Sequence, residues 1–162
     1  ALLTGIEKNA GVVKLASYAP LFNRIGHSQW KPDMIWFDDS DVYLTPNYYV
    51  QKLFANHRGT YTIPLQKQDV KLRKEGIYVS AAVDAHGEII LKLVNTNHRE
   101  YALMLEDADG LAVRTTGQMW TLRGTGEMPE DRPEVSVVTE ETAEIDGCVF
   151  IPAQSLVVIR YQ

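Results

Sequence analysis

Polar and aromatic side chains that could bind a ligand are concentrated in one predicted loop near the start of the sequence. The loop would hold Asn23, His27, Gln29, Trp30 and Asp33. It follows an apolar run at residues 12–19 that reads as a buried strand, and it precedes a predicted helix. In a βα unit of a parallel sheet, the loop after the strand carries the chemistry. We therefore expect the ligand-binding side chains of this chain in that loop.

Other patterns with known chemistry are incomplete in the sequence. Asp38, Asp39 and Asp41 suggest a calcium loop, but counting from Asp39 puts Tyr43 at position 5 and Val50 at position 12. That order does not match an EF-hand, and a solvated turn is the preferred interpretation. The four histidines share no metal-ligand spacing, and neither a nucleophile elbow nor a dinucleotide fingerprint is present. We expect neither a metal nor a cofactor.

The helix after the loop has the clearest local signals in the sequence. Thr45 can cap it, Pro46 suits its first position, and Gly59 lies just past its last turn. Its apolar residues are spaced three and four apart and form one stripe: Tyr49, Val50, Leu53 and Phe54. Residues 1–9 read as the last turns of another helix. The order of elements up to residue 59 is thus helix, strand, long loop, helix.

After residue 59 the apolar pattern changes to short strands. Alternating or apolar runs predict strands at residues 61–65, 77–83, 88–94, 101–105, 112–122, 135–144 and 156–161. Turn signals lie at residues 84–87 and 107–110, and residues 124–133 read as a loop between strands. The pattern predicts an antiparallel β-sandwich, jelly-roll-like, over residues 60–162.

Length, charge and cysteine content limit the classes of function. The chain has 162 residues, a net charge of −5 and a pI near 5.3, which argues against nucleic acid as a partner. Basic residues at 67–74 alternate with acids and read as a solvated face or turn. The one cysteine, Cys148, excludes an internal disulfide and reads as a buried small hydrophobe. No apolar run is long enough for a membrane helix.

Several spaced segments carry a family resemblance. They are Ser17-Tyr18-Ala19-Pro20-Leu21-Phe22, then Trp30 and Pro32-Asp33, then residues 35–38 and 46–54. Together they resemble the segment that closes the catalytic barrel of α-L-arabinofuranosidases of glycoside hydrolase family 51. The resemblance implies that residues 1–59 are the last βα unit of a truncated (β/α)₈ barrel, since a complete barrel takes about 250 residues. It also implies that residues 60–162 form the C-terminal β-sandwich domain.

The resemblance implies where the site residues lie. The two catalytic glutamates of a retaining glycosidase are expected upstream of residue 1, so no catalytic residue is assigned in this chain. Tyr18, Asn23 and Trp30 are the candidates for the wall of the sugar pocket, because an aromatic ring suits the apolar face of a sugar and an amide bonds its hydroxyls. The alternative is that Tyr18 and Trp30 are core aromatics that wedge the loop against the sandwich.

The predicted function is that of the C-terminal portion of a retaining, exo-acting α-L-arabinofuranosidase. Such an enzyme hydrolyses terminal α-L-arabinofuranosyl residues from arabinan, arabinoxylan or arabino-oligosaccharides. Its partners would be that carbohydrate and the rest of the catalytic barrel, with a homo-oligomer left open and neither nucleic acid nor membrane expected. A secreted or periplasmic location is favoured over the cytoplasm. The alternative is a non-catalytic carbohydrate-binding or structural β-sandwich module whose platform would use Trp30, Trp36 or Trp120.

Overall fold

The computed structural model describes residues 1–30, 33–65, 68–125 and 133–162. Three helices and eleven strands lie in these ranges. In chain order they are α1 (Leu2–Lys8), β1 (Phe22–Arg24), β2 (Ile35–Phe37), β3 (Val42–Leu44), α2 (Pro46–Asn56), β4 (Tyr61–Ile63), α3 (Gln68–Lys74), β5 (Ile77–Val83), β6 (Ile89–Asn95), β7 (Tyr101–Met104), β8 (Arg114–Gly124), β9 (Ser136–Asp146), β10 (Cys148–Ile151) and β11 (Ser155–Tyr161).

The body of the fold is a six-stranded antiparallel sheet in the order β4-β5-β6-β11-β8-β9. All seven strands predicted from the sequence after residue 59 are present, six of them in this sheet and β7 outside it. β11 lies inside the sheet and pairs with β6 on one side and β8 on the other. Since successive side chains of a strand point to opposite faces, a strand in this position supplies core residues to both faces. Val157, Val158 and Ile159 are accordingly all inaccessible to solvent.

Different layers cover the two faces of this sheet. On one face, Val157 and Ile159 belong to a core cluster with Leu103 and Ile151 from a two-stranded sheet, in which β7 pairs with β10. On the other face, Val158 belongs to a second cluster centred on Leu53 of α2. The chain is therefore mainly β, with antiparallel sheets packed as a sandwich, as predicted. β10 was not predicted, and Cys148 at its start is half-buried rather than buried.

The predicted signals of α2 are confirmed. The Thr45 side chain accepts a hydrogen bond from the Tyr48 amide at 3.4 Å, and Pro46 is the first helical residue. The predicted stripe faces the sheet, with Leu53 buried and its neighbours on the stripe partly buried. Gly59 does not end the helix, because the C-cap residue is His57. A Cβ there would lie 2.4 Å from the Ala82 Cβ, so glycine allows the chain to pass close against β5.

Helix α1 is also confirmed, and one ion pair ties it to the sheet while another ties it to α3. Glu7 accepts hydrogen bonds from Lys92 of β6 and Ser80 of β5, and Lys8 lies 2.8 Å from Asp69 of α3. Lys92 is completely buried. The first helix of the chain is thus fixed to strands that follow it by more than seventy residues.

The prediction of a buried strand at residues 12–19 is wrong for this chain. These residues form no strand, and Val12 and Leu15 are 84% and 90% exposed. A β conformation needs a neighbouring strand to satisfy its backbone N–H and C=O groups. The three strands that follow, β1 to β3, pair with one another instead, in a small separate sheet that was not predicted. Apolar composition alone therefore could not place residues 12–19 in a sheet.

Both predicted turns are confirmed. Asp84 Oδ1 accepts hydrogen bonds from the amides of His86 and Glu88 at 2.8 and 3.0 Å, and Gly87 has a φ of +82°. Gly110 has a φ of +78° in the second turn. The predicted loop at 124–133 falls mostly on residues 126–132, outside the described residues. No described helix is long and apolar enough to cross a membrane.

Candidate functional site

The small sheet of β1, β2 and β3 positions the residues predicted to bind a ligand. β1 runs parallel to β2, with Asn23 opposite Trp36, and β2 runs antiparallel to β3. The Thr45 hydroxyl donates to the Met34 carbonyl at 2.7 Å, which anchors the start of α2 beside β2. The loop between β1 and β2 is therefore held at both ends by strands that pair with each other.

Asn23 is the polar group of this region that is not satisfied. It is 4% exposed, and its Nδ2 is buried without a hydrogen-bond partner among the described residues. An unsatisfied buried donor costs about 1–3 kcal/mol. The geometry thus presents an amide N–H₂ group that can donate to a ligand or to a further protein surface.

Tyr18 and Trp30 lie in different environments. Tyr18 is half-buried, and its hydroxyl accepts a hydrogen bond from Asn47 Nδ2 at 2.9 Å, which joins the segment before β1 to the first turn of α2. Trp30 is 68% exposed, and its carbonyl accepts from the Ser28 hydroxyl at 2.8 Å. Trp30 is therefore not a core aromatic, whereas Tyr18 helps to hold the loop in place.

Trp36 is a core residue. It is 7% exposed, and its indole N–H donates to the Asp33 carbonyl at 3.1 Å. Asp33 is itself 3% exposed. Both residues are buried, so the Trp36 ring is not exposed for stacking against a sugar.

The acidic residues after β2 form a turn. Asp38 Oδ1 accepts from the amides of Ser40 and Asp41 at 2.8 and 2.9 Å, and its Oδ2 accepts from the Tyr43 hydroxyl at 3.1 Å. Asp39 pairs with Arg24 at 2.6 Å on the surface. Across the described ranges, no group of three or more His, Cys, Asp or Glu side chains is placed to hold a metal ion.

Two buried polar groups were missed by sequence reasoning, Lys92 on the face of the sheet covered by α1 and α2, and His57 at the end of α2. Burial lowers the pKa of Lys92, and the hydrogen bond and charge of Glu7 oppose that shift. Burial also lowers the pKa of His57, with the positive charges of Arg160 and Lys92 acting in the same direction. The signal for Lys92 was present in the sequence, as a single lysine inside the apolar strand β6. His57 packs against Trp120, with ring centroids 4.1 Å apart.

The glutamates that could be compared with a catalytic pair have other partners. Glu7 is engaged by Lys92 and Ser80, and the Glu75 carboxylate accepts a hydrogen bond from the Tyr101 hydroxyl at 2.7 Å. Both carboxylates therefore have hydrogen-bond partners within this chain.

The antiparallel sandwich, with two helices on one face and a small mixed sheet before it, can be compared with known families. The family model for the α-L-arabinofuranosidase C-terminal domain matches residues 1–155, and the chain belongs to this family. The resemblance inferred from residues 17–54 is thereby confirmed.

Curated relatives of the chain are named as α-L-arabinofuranosidases. The chain is 33% identical over 164 aligned residues to α-L-arabinofuranosidase 1 of Arabidopsis thaliana. This alignment covers 96% of this chain and 24% of the relative. It is 50% identical over 64 residues to an extracellular exo-α-L-arabinofuranosidase of Streptomyces chartreusis, covering 40% of this chain and 8% of the relative. The chain thus spans about a quarter or less of the length of these relatives.

Solved structures show the same fold. The arabinose-bound MgGH51 α-L-arabinofuranosidase superposes with a TM-score of 0.80 at 24% identity, over 99% of this chain and 26% of that one. The α-L-arabinofuranosidase of Thermotoga maritima in complex with arabinose gives a TM-score of 0.70 at 19% identity, over 99% and 36%. In both cases almost all of this chain corresponds to a part of a larger enzyme.

Proposed function

We propose that this chain is the C-terminal portion of a retaining, exo-acting α-L-arabinofuranosidase of glycoside hydrolase family 51. The substrates would be terminal α-L-arabinofuranosyl residues of arabinan, arabinoxylan or arabino-oligosaccharides. One observation carries this proposal: the family match over residues 1–155 of a chain that spans a quarter of its Arabidopsis relative. The double displacement of a retaining enzyme needs two carboxyl groups about 5–5.5 Å apart. In this proposal, both belong to the part of the enzyme outside residues 1–162.

Residues 1–59 would supply the last βα unit of the catalytic barrel. The large apolar side chains at residues 12–19 support this role, since Val12 and Leu15 are among the most exposed hydrophobic residues of the chain. Contact with adjacent barrel strands would bury them and satisfy their backbone groups. α2 would be the helix of this unit. Residues 60–162 would form the jelly-roll-like sandwich that buttresses the barrel.

The loop between β1 and β2 would form part of the sugar pocket. Trp30 is an exposed indole that can stack on the apolar face of a sugar ring. Asn23 has a free amide donor that can bond a sugar hydroxyl. Tyr18 is anchored by Asn47 and would place its ring beside them. The rest of the barrel would be the partner of this surface, and assembly into a homo-oligomer stays a prediction.

The test is arabinose release from an aryl α-L-arabinofuranoside by the full-length protein that contains this chain. We expect hydrolysis with retention of configuration at the anomeric carbon, and no hydrolysis by residues 1–162 alone. Inversion, or the absence of arabinose release by the full-length protein, would contradict the proposal. In the second case a carbohydrate-binding or structural module would be the better description.

The pocket role is tested with Trp30→Ala in the full-length enzyme. Loss of one aromatic contact is worth about 0.5–1.5 kcal/mol, so KM should rise by roughly two- to twelvefold with a smaller change in kcat. Phe150→Ala is the matched control, because Phe150 is a similarly exposed aromatic on the sandwich, 60% against 68%. Equal kinetic effects of the two substitutions would contradict a role of Trp30 in the sugar pocket.

A further inference from the structure

A polar cleft of about 430 Å³ lies on the sandwich, at the turns around the start of β5 and the end of β6. Two segments that are distant in sequence supply its charged walls. Arg73 and Lys74 come from the last turn of α3, and Arg99 comes from the connection between β6 and β7. The whole protein has a net charge of −5. The three cations of the cleft thus form a local positive group on a protein whose net charge is negative.

The cations of this cleft are largely uncommitted. Arg73 lies 3.2 Å from Asp69, while Lys74 and Arg99 have no ion-pair partner among the residues that the structure describes. The negative charge in the lining is that of Glu75, whose carboxylate accepts a hydrogen bond from the Tyr101 hydroxyl at 2.7 Å. The cleft therefore has an excess of positive charge on side chains that reach solvent.

Hydrogen bonds of a buried side chain hold the backbone of one wall of the cleft. Asn95 is 1% exposed, and its Nδ2 donates to the carbonyls of Arg99, Ile151 and Pro152 at 2.9, 3.0 and 3.0 Å. Its Oδ1 accepts from the Asn97 amide at 2.9 Å. This buried side chain thus fixes the backbone of the turn that carries Arg99.

A second contact joins that turn to the end of α3. Asn97 Nδ2 donates to the Glu75 carbonyl at 2.8 Å. The backbone positions of the cations on both walls are therefore set before any ligand arrives. Such pre-organisation reduces the entropy that binding costs.

The composition of the lining indicates the class of ligand. Guanidinium and ammonium groups both suit a carboxylate, which Arg can bind through two parallel hydrogen bonds. The volume lies in the range of small-molecule sites, well above what one inorganic ion needs. Glu75 can accept hydrogen bonds from sugar hydroxyls, and its charge disfavours a dianion such as phosphate. We propose that this cleft binds a uronic acid unit of an acidic glycan, with the carboxylate between Lys74 and Arg99 and the hydroxyls towards Glu75 and Tyr101.

The choice of a glycan as the bearer of the carboxylate rests on the proposed function, whereas the site itself is separate from the predicted sugar pocket in the loop between β1 and β2. The cleft would hold an acidic part of the polysaccharide.

The experiment is isothermal titration of the full-length protein with trigalacturonic acid, with neutral arabinotriose and with sodium sulfate as separate probes. The double substitution Lys74→Gln with Arg99→Gln should weaken trigalacturonate binding by about tenfold or more, the value of one charge-assisted contact. Lys71→Gln is the matched control, since Lys71 is an exposed cation of the same helix outside the lining. It should change the affinity by less than about twofold.

Each outcome decides the matter. No heat with trigalacturonate, or an equal loss in Lys71→Gln, would overturn the site. Sulfate binding as tight as trigalacturonate, and competing with it, would overturn the assignment to a uronic acid in favour of a simple anion site. Arabinose release by the same variants is measured in parallel. Failure of that reaction in the unsubstituted protein would contradict the proposed function, while loss of trigalacturonate binding with normal arabinose release concerns the cleft alone.

Discussion

The buried ion pair between α1 and the sheet allows a quantitative test. Glu7→Gln keeps the size of the side chain and removes the negative charge that faces Lys92. The Lys92 side chain has no exposed surface, and that of Glu7 is 17% exposed. Breaking a buried pair by removing one partner costs about 3–5 kcal/mol, because it leaves an uncompensated buried charge. Since Glu7 keeps some contact with water, we expect the lower end, about 3 kcal/mol.

Urea denaturation of the 162-residue chain measures this loss. With a slope of about 1–3 kcal/mol per molar urea, the midpoint should fall by roughly 1–3 M. A second substitution, Lys92→Met, removes the charge left unpaired, so the double variant should recover part of the loss. Glu144→Gln, at an exposed position of β9, is the charge-matched control and should stay within about 0.5 kcal/mol.

The pH dependence gives the same test a second readout. Burial lowers the folded-state pKa of Lys92, and loss of the Glu7 charge should lower it further. A lysine with a depressed pKa binds fewer protons in the folded state, so the free energy of unfolding rises with pH towards the unfolded pKa near 10.4. Glu7→Gln should therefore regain stability at alkaline pH. A Glu7→Gln midpoint equal to that of the unsubstituted chain, or a double variant less stable than Glu7→Gln, would refute the reasoning.

Two further predictions concern the face of the sheet covered by α2. Because burial lowers the pKa of His57, the folded state resists its protonation, and stability should fall as pH decreases below about 6.5. His57→Phe, which keeps a ring against Trp120, should make the urea midpoint nearly independent of pH between pH 7 and 5. A pH dependence of the midpoint equal to that of the unsubstituted chain would contradict this account. Leu53→Ala should cost about 2–5 kcal/mol by cavity formation. Lys52→Ala on the exposed side of the helix should cost less than about 0.5 kcal/mol, and similar losses from both would argue against burial of Leu53.

Local signals predicted the elements whose geometry depends on nearby residues. The start of α2 follows from Thr45 and Pro46, which both lie within its first turn. The hairpin turn after β5 follows from Asp84 and Gly87 in the same way. The buried strands of the sandwich were recognisable because alternation reports which face of a strand is covered.

Residues 12–19 show where such reasoning stops. Their apolar composition is compatible with a buried strand, but a strand also needs neighbours to pair with, and composition does not supply them. For Tyr18, Asn23 and Trp30 the sequence indicated residue types suited to a sugar. It did not indicate that Asn23 would be buried and unsatisfied while Trp30 would be exposed.

The sequence by itself determined helices α1 and α2, the two turns and the alternating strands, because these depend on hydrogen bonds and side-chain spacing within a few residues. Helix α3 was not predicted, since residues 67–74 read as a solvated face or turn. The tertiary structure decided which distant charges meet. Glu7 reaches Lys92 across 85 positions, and Arg99 joins Lys74 in one cleft only when β5 and β6 pair and the turn is fixed by Asn95. The energy of such contacts depends on burial and distance in space, and neither quantity is written in the order of the residues.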